Sequence, residues 1–275
     1  MSNLDDVRRE LARANRILAH EDVLDAFGHV SVRHPDDPGR YLLSRSRGPE
    51  LVQPDDILEF TLDSEPVVPP TRRLYSERVI HGCIYQACPD LHAVVHHHAP
   101  SIMPFVIAGV DLVPVFHLGA TMGTKAPFWD SRDEFGDTSL LVIKPEEGRS
   151  LARALGSHAM VLMRRHGATV VGDNLHQVVF RSIYSARNAE HQWRAHALGG
   201  VGPLTAGEAS LAAEHNLQPG PIERAWEYWA GRLDKTEALV AAATASQAAA
   251  RARPTARTTA HKASGRAKRR KKSRR

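Results

Sequence analysis

Apolar residues recur at helical spacing through Leu4, Val7, Leu11, Ala14 and Leu18, and Asp5 and Asp6 suit a helix N-terminus. The rhythm then changes. Residues 28–33 and 41–44 read as short strands joined by a Pro/Asp/Gly turn, and residues 57–62 alternate as a strand does. Pro66, Pro69 and Pro70 make a stiff connector into a helix near Ser76, which Cys88-Pro89-Asp90 ends. Two apolar strands follow at 93–98 and 160–163, the second leading through Arg164-Arg165-His166-Gly167 into another at 168–172. Helical periodicity returns from Leu175 to about Leu198, and a last helix begins near Pro221, carries Trp226 and Trp229, and enters Ala-rich sequence at 240–250. Hairpin-spaced strands mixed with helices predict an α/β fold, a mainly antiparallel sheet flanked by helices, in one domain over residues 1–250.

Charge divides the chain differently. Twelve of its 36 Lys and Arg residues fall in 251–275, which holds no acid, so the first 250 residues carry about −7 although the whole is +5. An acidic body argues against a nucleic-acid-binding domain. Residues 251–275 offer no apolar side chain larger than Ala and are expected to be a disordered basic tail, either silent or attracted to nucleic acid or anionic lipid. No apolar run reaches the roughly 18–20 residues of a membrane span. The acidic N-terminus does not resemble a secretory signal, and two cysteines, Cys83 and Cys88, are too few for a disulfide framework. The expected location is cytoplasmic.

With 16 histidines, most must be bystanders, and position has to single out the rest. On a strand, alternate side chains share a face, so His96 and His98 project together while His97 points away. That arrangement offers two nitrogens to one ion, or makes a solvated histidine pair. His166 ends the second apolar strand, and Gly167 after it would let the chain turn sharply beside a buried ligand. Glu77 opens the helix preceding the His96 strand, with His81 one turn later. It reads as an ordinary N-terminal helix acid, or as a carboxylate that completes a metal site or moves a proton.

Together these residues resemble a known family. Pro70-Thr71-Arg72-Arg73-Leu74-Tyr75-Ser76-Glu77, His81, Tyr85 and the run from Pro89 to His98 are similar to the core signature of the class II aldolase/adducin family. Gly28-His29-Val30-Ser31-Val32-Arg33 resembles its N-terminal loop, and Val161-Leu162-Met163-Arg164-Arg165-His166-Gly167-Ala168 the segment with its third histidine. The resemblance covers roughly residues 5–235. It implies an α/β/α sandwich, a homotetramer with active sites between subunits, and one divalent ion per subunit on His96, His98 and His166, with Glu77 as further ligand or acid/base. Zn2+ and Mn2+ are the first expectations; imidazole also accepts Fe2+ and Co2+.

The family's sugar-phosphate aldolases normally carry Asn where this chain has His29. That departure, with Pro114-Val115-Phe116-His117-Leu118-Gly119-Ala120 and the following Trp129-Asp130, resembles instead a branch of metal-dependent decarboxylases. These act on dihydroxyphthalate-like or hydroxypyridine-dicarboxylate-like compounds in degradation pathways. The implied substrate is a small hydroxylated aromatic or heteroaromatic carboxylate, with Glu77, His117 or His29 returning a proton to the ring. His29, Ser31, Ser44 and Ser46 are the expected substrate contacts. Arg33, Arg45 and Arg78 either meet a second carboxylate or form ordinary salt bridges. The competing readings are an aldolase acting on a hydroxy-carbonyl or sugar phosphate, a mononuclear iron oxygenase, and a non-catalytic adducin-like interaction module. Against the last stands the complete set of Glu77 and three histidines.

Overall fold

The computed structural model describes residues 4–252. Seven strands, β1 His29–Arg33, β2 Arg40–Ser44, β3 Ile57–Thr61, β4 Ala93–His97, β5 Phe128–Trp129, β6 Met160–Met163 and β7 Gly167–Gly172, form a sheet in the order β3-β2-β1-β4-β7-β6-β5. Every neighbouring pair is antiparallel except β5, which runs parallel to β6. The helices are α1 Leu4–His20, α2 Val79–Ala87, α3 Met103–Ala108, α4 Arg132–Phe135, α5 Pro145–Leu155, α6 Leu175–Ala197, α7 Ala206–Asn216 and α8 Pro219–Ala252. No described helix is long and apolar enough to cross a membrane.

The period-2 pattern of the strands sorts their side chains between two cores. Val30, Val32, Ala93, Val95 and Val170 face one, where Leu11, Ile17 and Leu18 of α1 and Val178, Val179 and Ile183 of α6 cover them. Val94, Val161 and Val171 face the other, under Ile80 and Ile84 of α2 and Leu151 and Leu155 of α5. Each such buried Val, Leu or Ile side chain contributes about 1.5–3 kcal/mol. The expected helix–sheet–helix layering is therefore present. Trp229 is buried in the α1/α6 core and Trp226 stacks on His176 at 3.9 Å, while Trp193 is nearly half exposed.

The compact unit closes at Asp234, and the residues from Lys235 form a second unit whose described part is helical to Ala252. The expected boundary at 250 lies within that second unit, where Leu239 and Val240 are exposed. Residues 253–275, and nearly all of the basic tail with them, lie outside the described residues.

Two of the arginines weighed for substrate have backbone partners instead. Arg33 is buried and donates to the carbonyls of Pro38, Tyr85, Cys88 and Leu91, tying β1 to the C-terminal end of α2. Arg78 donates to the carbonyls of Ser64 and Tyr75. Arg45 pairs with Asp56 at 2.6 Å, as a salt-bridge reading expects.

Candidate metal centre

The sheet register assembles one row of polar side chains on the face beneath α2. His29 of β1 lies opposite His96 of β4, and His96 lies opposite Thr169 of β7. His98 follows two residues along on the same face. The chain reaches His166 through Arg165, whose left-handed backbone (φ 58°) makes the turn between β6 and β7. Sequence reasoning assigned that turn to Gly167. Gly167 serves closeness instead: a Cβ there would come within 2.3 Å of the His97 carbonyl oxygen and 2.7 Å of His98 Cδ2.

The three imidazoles converge. Ring centroids are 4.9 Å apart for His96–His98 and His96–His166 and 5.1 Å for His98–His166, and one ring nitrogen from each lies within 4.8 Å of the others. Nε2 of His96 and Nε2 of His98 are 3.2 Å apart. Two nitrogens on a tetrahedral ion at about 2.05 Å would be about 3.3 Å apart, so this spacing suits a shared cation. Both ring nitrogens of His166 are buried without a hydrogen-bond partner, a costly state that a bound cation would relieve at one of them. Thr169 Oγ1 donates to Met163 Sδ and is 3.3 Å from His96 Nδ1, which leaves it the acceptor for that N–H and leaves the His96 Nε2 lone pair free.

Glu77 stands over this group. It occupies a short 3-10 turn, Ser76–Arg78, rather than the first turn of the helix, which starts at Val79. Its Oε1 accepts the Val142 N–H at 2.9 Å and lies 3.5 Å from His166 Nε2; Oε2 is 3.9 Å from His96 Nε2. Burial, joined by repulsion from neighbouring imidazoles, pushes the pKa of His96 and His98 below the usual histidine value. Neutral imidazoles with free lone pairs are what a divalent cation requires. Three imidazoles and one carboxylate thus fit such an ion.

The remaining expected residues divide. His29 adjoins the centre, its ring 5.2 Å from that of His96 and 4.6 Å from that of Tyr75. Ser31 is fully buried, its hydroxyl 2.6 Å from His81 Nδ1 and 2.8 Å from the Tyr85 hydroxyl. His81 Nε2 in turn lies 2.6 Å from His29 Nδ1. Ser44 is also buried and donates to the Tyr75 hydroxyl at 3.4 Å, while Ser46 is half-buried on the loop that follows. His117 is exposed, its ring against Phe116 and its carbonyl accepting from Asn216; no contact among the described residues joins it to the three imidazoles. Sequence reasoning missed Thr169 and the backbone N–H of Val142. Thr169 carried a signal, as the lone hydroxyl of β7 two residues before Val171 on the same face.

Residues 9–193 match the family described as Class II Aldolase and Adducin N-terminal domain. The chain is 33% identical over 235 residues to the decarboxylase TropJ of Talaromyces stipitatus, covering 78% of this chain and 88% of that one. It is 28% identical over 191 residues to the 3,4-dihydroxyphthalate decarboxylase of Arthrobacter keyseri, covering 64% and 73%. L-fuculose 1-phosphate aldolase from Glaciozyma antarctica shares the fold with a TM-score of 0.71 at 18% identity, over 86% of this chain and 91% of that one.

Proposed function

The chain belongs to the class II aldolase and adducin family, and on that premise we propose that it is a lyase that decarboxylates a hydroxylated aromatic or heteroaromatic (di)carboxylate in a degradation pathway. In this reading one divalent ion, zinc or manganese first, is held by His96, His98 and His166, with Glu77 beside it. The observation that carries the proposal is the carboxylate of Glu77 set 3.5–3.9 Å from the inward nitrogens of His166 and His96. The similarity to proteins named as decarboxylases supports the choice among lyases. We further propose a homotetramer located in the cytoplasm.

When bound, the ion supplies a Lewis acid that stabilises negative charge on an oxygen of the substrate. The rest falls to the chain. His29 contacts the substrate from β1, and Ser46 from its loop. The bond between ring and carboxyl carbon breaks, carbon dioxide leaves, and its electron pair enters the ring. Glu77, protonated at Oε2 because Oε1 is engaged by the Val142 N–H, gives that proton to the vacated ring carbon and regains one from water. Ser31 and Ser44, being buried, act through His81 and Tyr75.

The test is carbon dioxide release from 3,4-dihydroxyphthalate and related hydroxybenzoates by the zinc- or manganese-loaded protein. Release that needs the metal and is lost in Glu77→Gln supports the reading. Cleavage of sugar phosphates without carbon dioxide release, or oxygen consumption tied to turnover, would replace it with the aldolase or the oxygenase.

A further inference from the structure

Four side chains behind the metal centre form a continuous buried line: Tyr85 to Ser31, Ser31 to His81, His81 to His29. None is more than 2% exposed. A line of this kind has a direction, fixed by counting protons. Ser31 is the one hydrogen-bond partner of the Tyr85 hydroxyl among the described residues, so the phenolic proton can go only to Ser31 Oγ. Ser31 must then place its own proton on His81 Nδ1. His81, accepting at Nδ1, carries its proton at Nε2 and donates it to His29 Nδ1. His29 accepts at Nδ1 and so bears its proton at Nε2.

The other arrangements fail the same count. Reversing the line leaves the Tyr85 proton buried without an acceptor. Letting both Tyr85 and His81 donate to Ser31 strands the serine proton instead. Either leaves a buried donor unsatisfied, which native structures avoid. Burial also pushes the His81 pKa down to about 3 and the Tyr85 phenol up, so neither of these two groups takes a charge.

We propose that Tyr85, Ser31 and His81 hold His29 as its Nε2–H tautomer, and that His29 donates a hydrogen bond to an anionic oxygen of the hydroxy-acid substrate. The ligand class rests on the decarboxylase reading above; the tautomer does not. His29 is suited to the task because its Nδ1 faces away into the line, its Nε2 lies on the opposite edge of the ring, and it sits in register with His96. No described residue bonds Nε2. The same line rules His29 out as the proton source for the ring carbon. Loss of its Nε2 proton would leave an imidazolate or, after a shift along the line, a buried tyrosinate. His29 binds, His81 positions it, and Glu77 is left to move the proton.

The experiment uses the full-length, zinc-loaded, nitrogen-15-labelled protein, with salicylate as the probe for an ortho-hydroxy carboxylate. Ring-nitrogen chemical shifts, assigned by through-bond correlation to the His29 backbone, should give His29 protonated at Nε2 and bare at Nδ1. Salicylate should bind His29→Phe about tenfold to a hundredfold more weakly than the wild type, the loss expected for a hydrogen bond to a charged group, with zinc content unchanged. Ser31→Ala should populate both His29 tautomers and weaken salicylate by a smaller factor, and Ser31→Thr should restore one tautomer. A wild-type His29 protonated at Nδ1 overturns the proposal, and this reading needs no variant to fold. Salicylate binding that is equal in wild type and His29→Phe overturns the donor role. Failure of the wild type to bind salicylate, with the expected tautomer present, refutes the hydroxy-acid ligand while supporting the line itself.

Discussion

Replacing Thr169 by Val tests how the centre holds its first ligand. The side chains are nearly equal in shape, so the strand and the rows beside it keep their packing. What is lost is the hydroxyl 3.3 Å from His96 Nδ1. His96 is fully buried, so no water replaces the missing acceptor. An ion on Nε2 requires the proton to sit on Nδ1, and in the variant that proton has no partner. The tautomer that binds metal is penalised relative to the one that cannot. Loss of such an outer partner costs about tenfold to a hundredfold in metal affinity, equivalent to about 1.4–2.7 kcal/mol. Global stability should fall within the range of about 1–3 kcal/mol for an unsatisfied buried donor. Zinc affinity is read by competition with a chromophoric chelator at fixed pH, with circular dichroism as a check on folding. Thr169→Ser keeps the hydroxyl and should stay near wild type. A folded Thr169→Val protein that binds zinc within twofold of wild type would refute the reasoning, since His96 would then need nothing behind it.

Other outcomes follow from the same structure. Glu77→Gln should lower turnover by roughly two to four orders of magnitude, the usual contribution of a general acid/base, while the zinc content persists on three imidazoles; both are measured on one preparation. Gly167→Ala forces a Cβ to within 2.3 Å of the His97 carbonyl oxygen and should destabilise by about 1–3 kcal/mol, as overpacking does, visible as a lowered melting temperature and reduced zinc occupancy. His81 and His97 are buried and neutral, with pKa values depressed to about 3. The unfolded chain takes up their protons below about pH 6.5 and the folded one does not, so their contribution is full above that pH and is lost as the pH falls toward 3. At pH 5 the metal-free protein should have lost about 2 kcal/mol for each, read from urea midpoints at pH 7.5 and 5. Removing residues 253–275 should leave turnover and zinc content unchanged, and a large loss of either would give the basic tail a part in the enzyme.

What the sequence revealed depended on how local the geometry was. His96 and His98 share a face because strands have period 2, and that holds wherever the strand is placed. The antiparallel sheet was legible from short alternating runs with turn residues between them, whereas β5, two residues long, has no alternation to read. The arrival of His166 was only partly legible. It depends on β6 and β7 pairing around a left-handed Arg165, a conformation that nothing in the residue type demands. Ser31 stood among the expected substrate contacts, within the segment that resembles the family's N-terminal loop. Across the sheet it points under α2, where Tyr85 and His81 consume its hydroxyl, partners 54 and 50 residues away. Arg33 was misjudged for a related reason. A charged residue on a strand suggests a ligand or a salt bridge, and the free carbonyls at a helix C-terminus were a third option that only the fold brings near.

The most direct measurement is anomalous diffraction from crystals of the zinc-loaded protein, with data recorded on both sides of the metal absorption edge. The account requires a single strong peak per chain at bonding distance, about 2.0–2.1 Å, from ring nitrogens of His96, His98 and His166. No peak at that position, or a peak bonded to the 96/98 pair with His166 turned away, would contradict it.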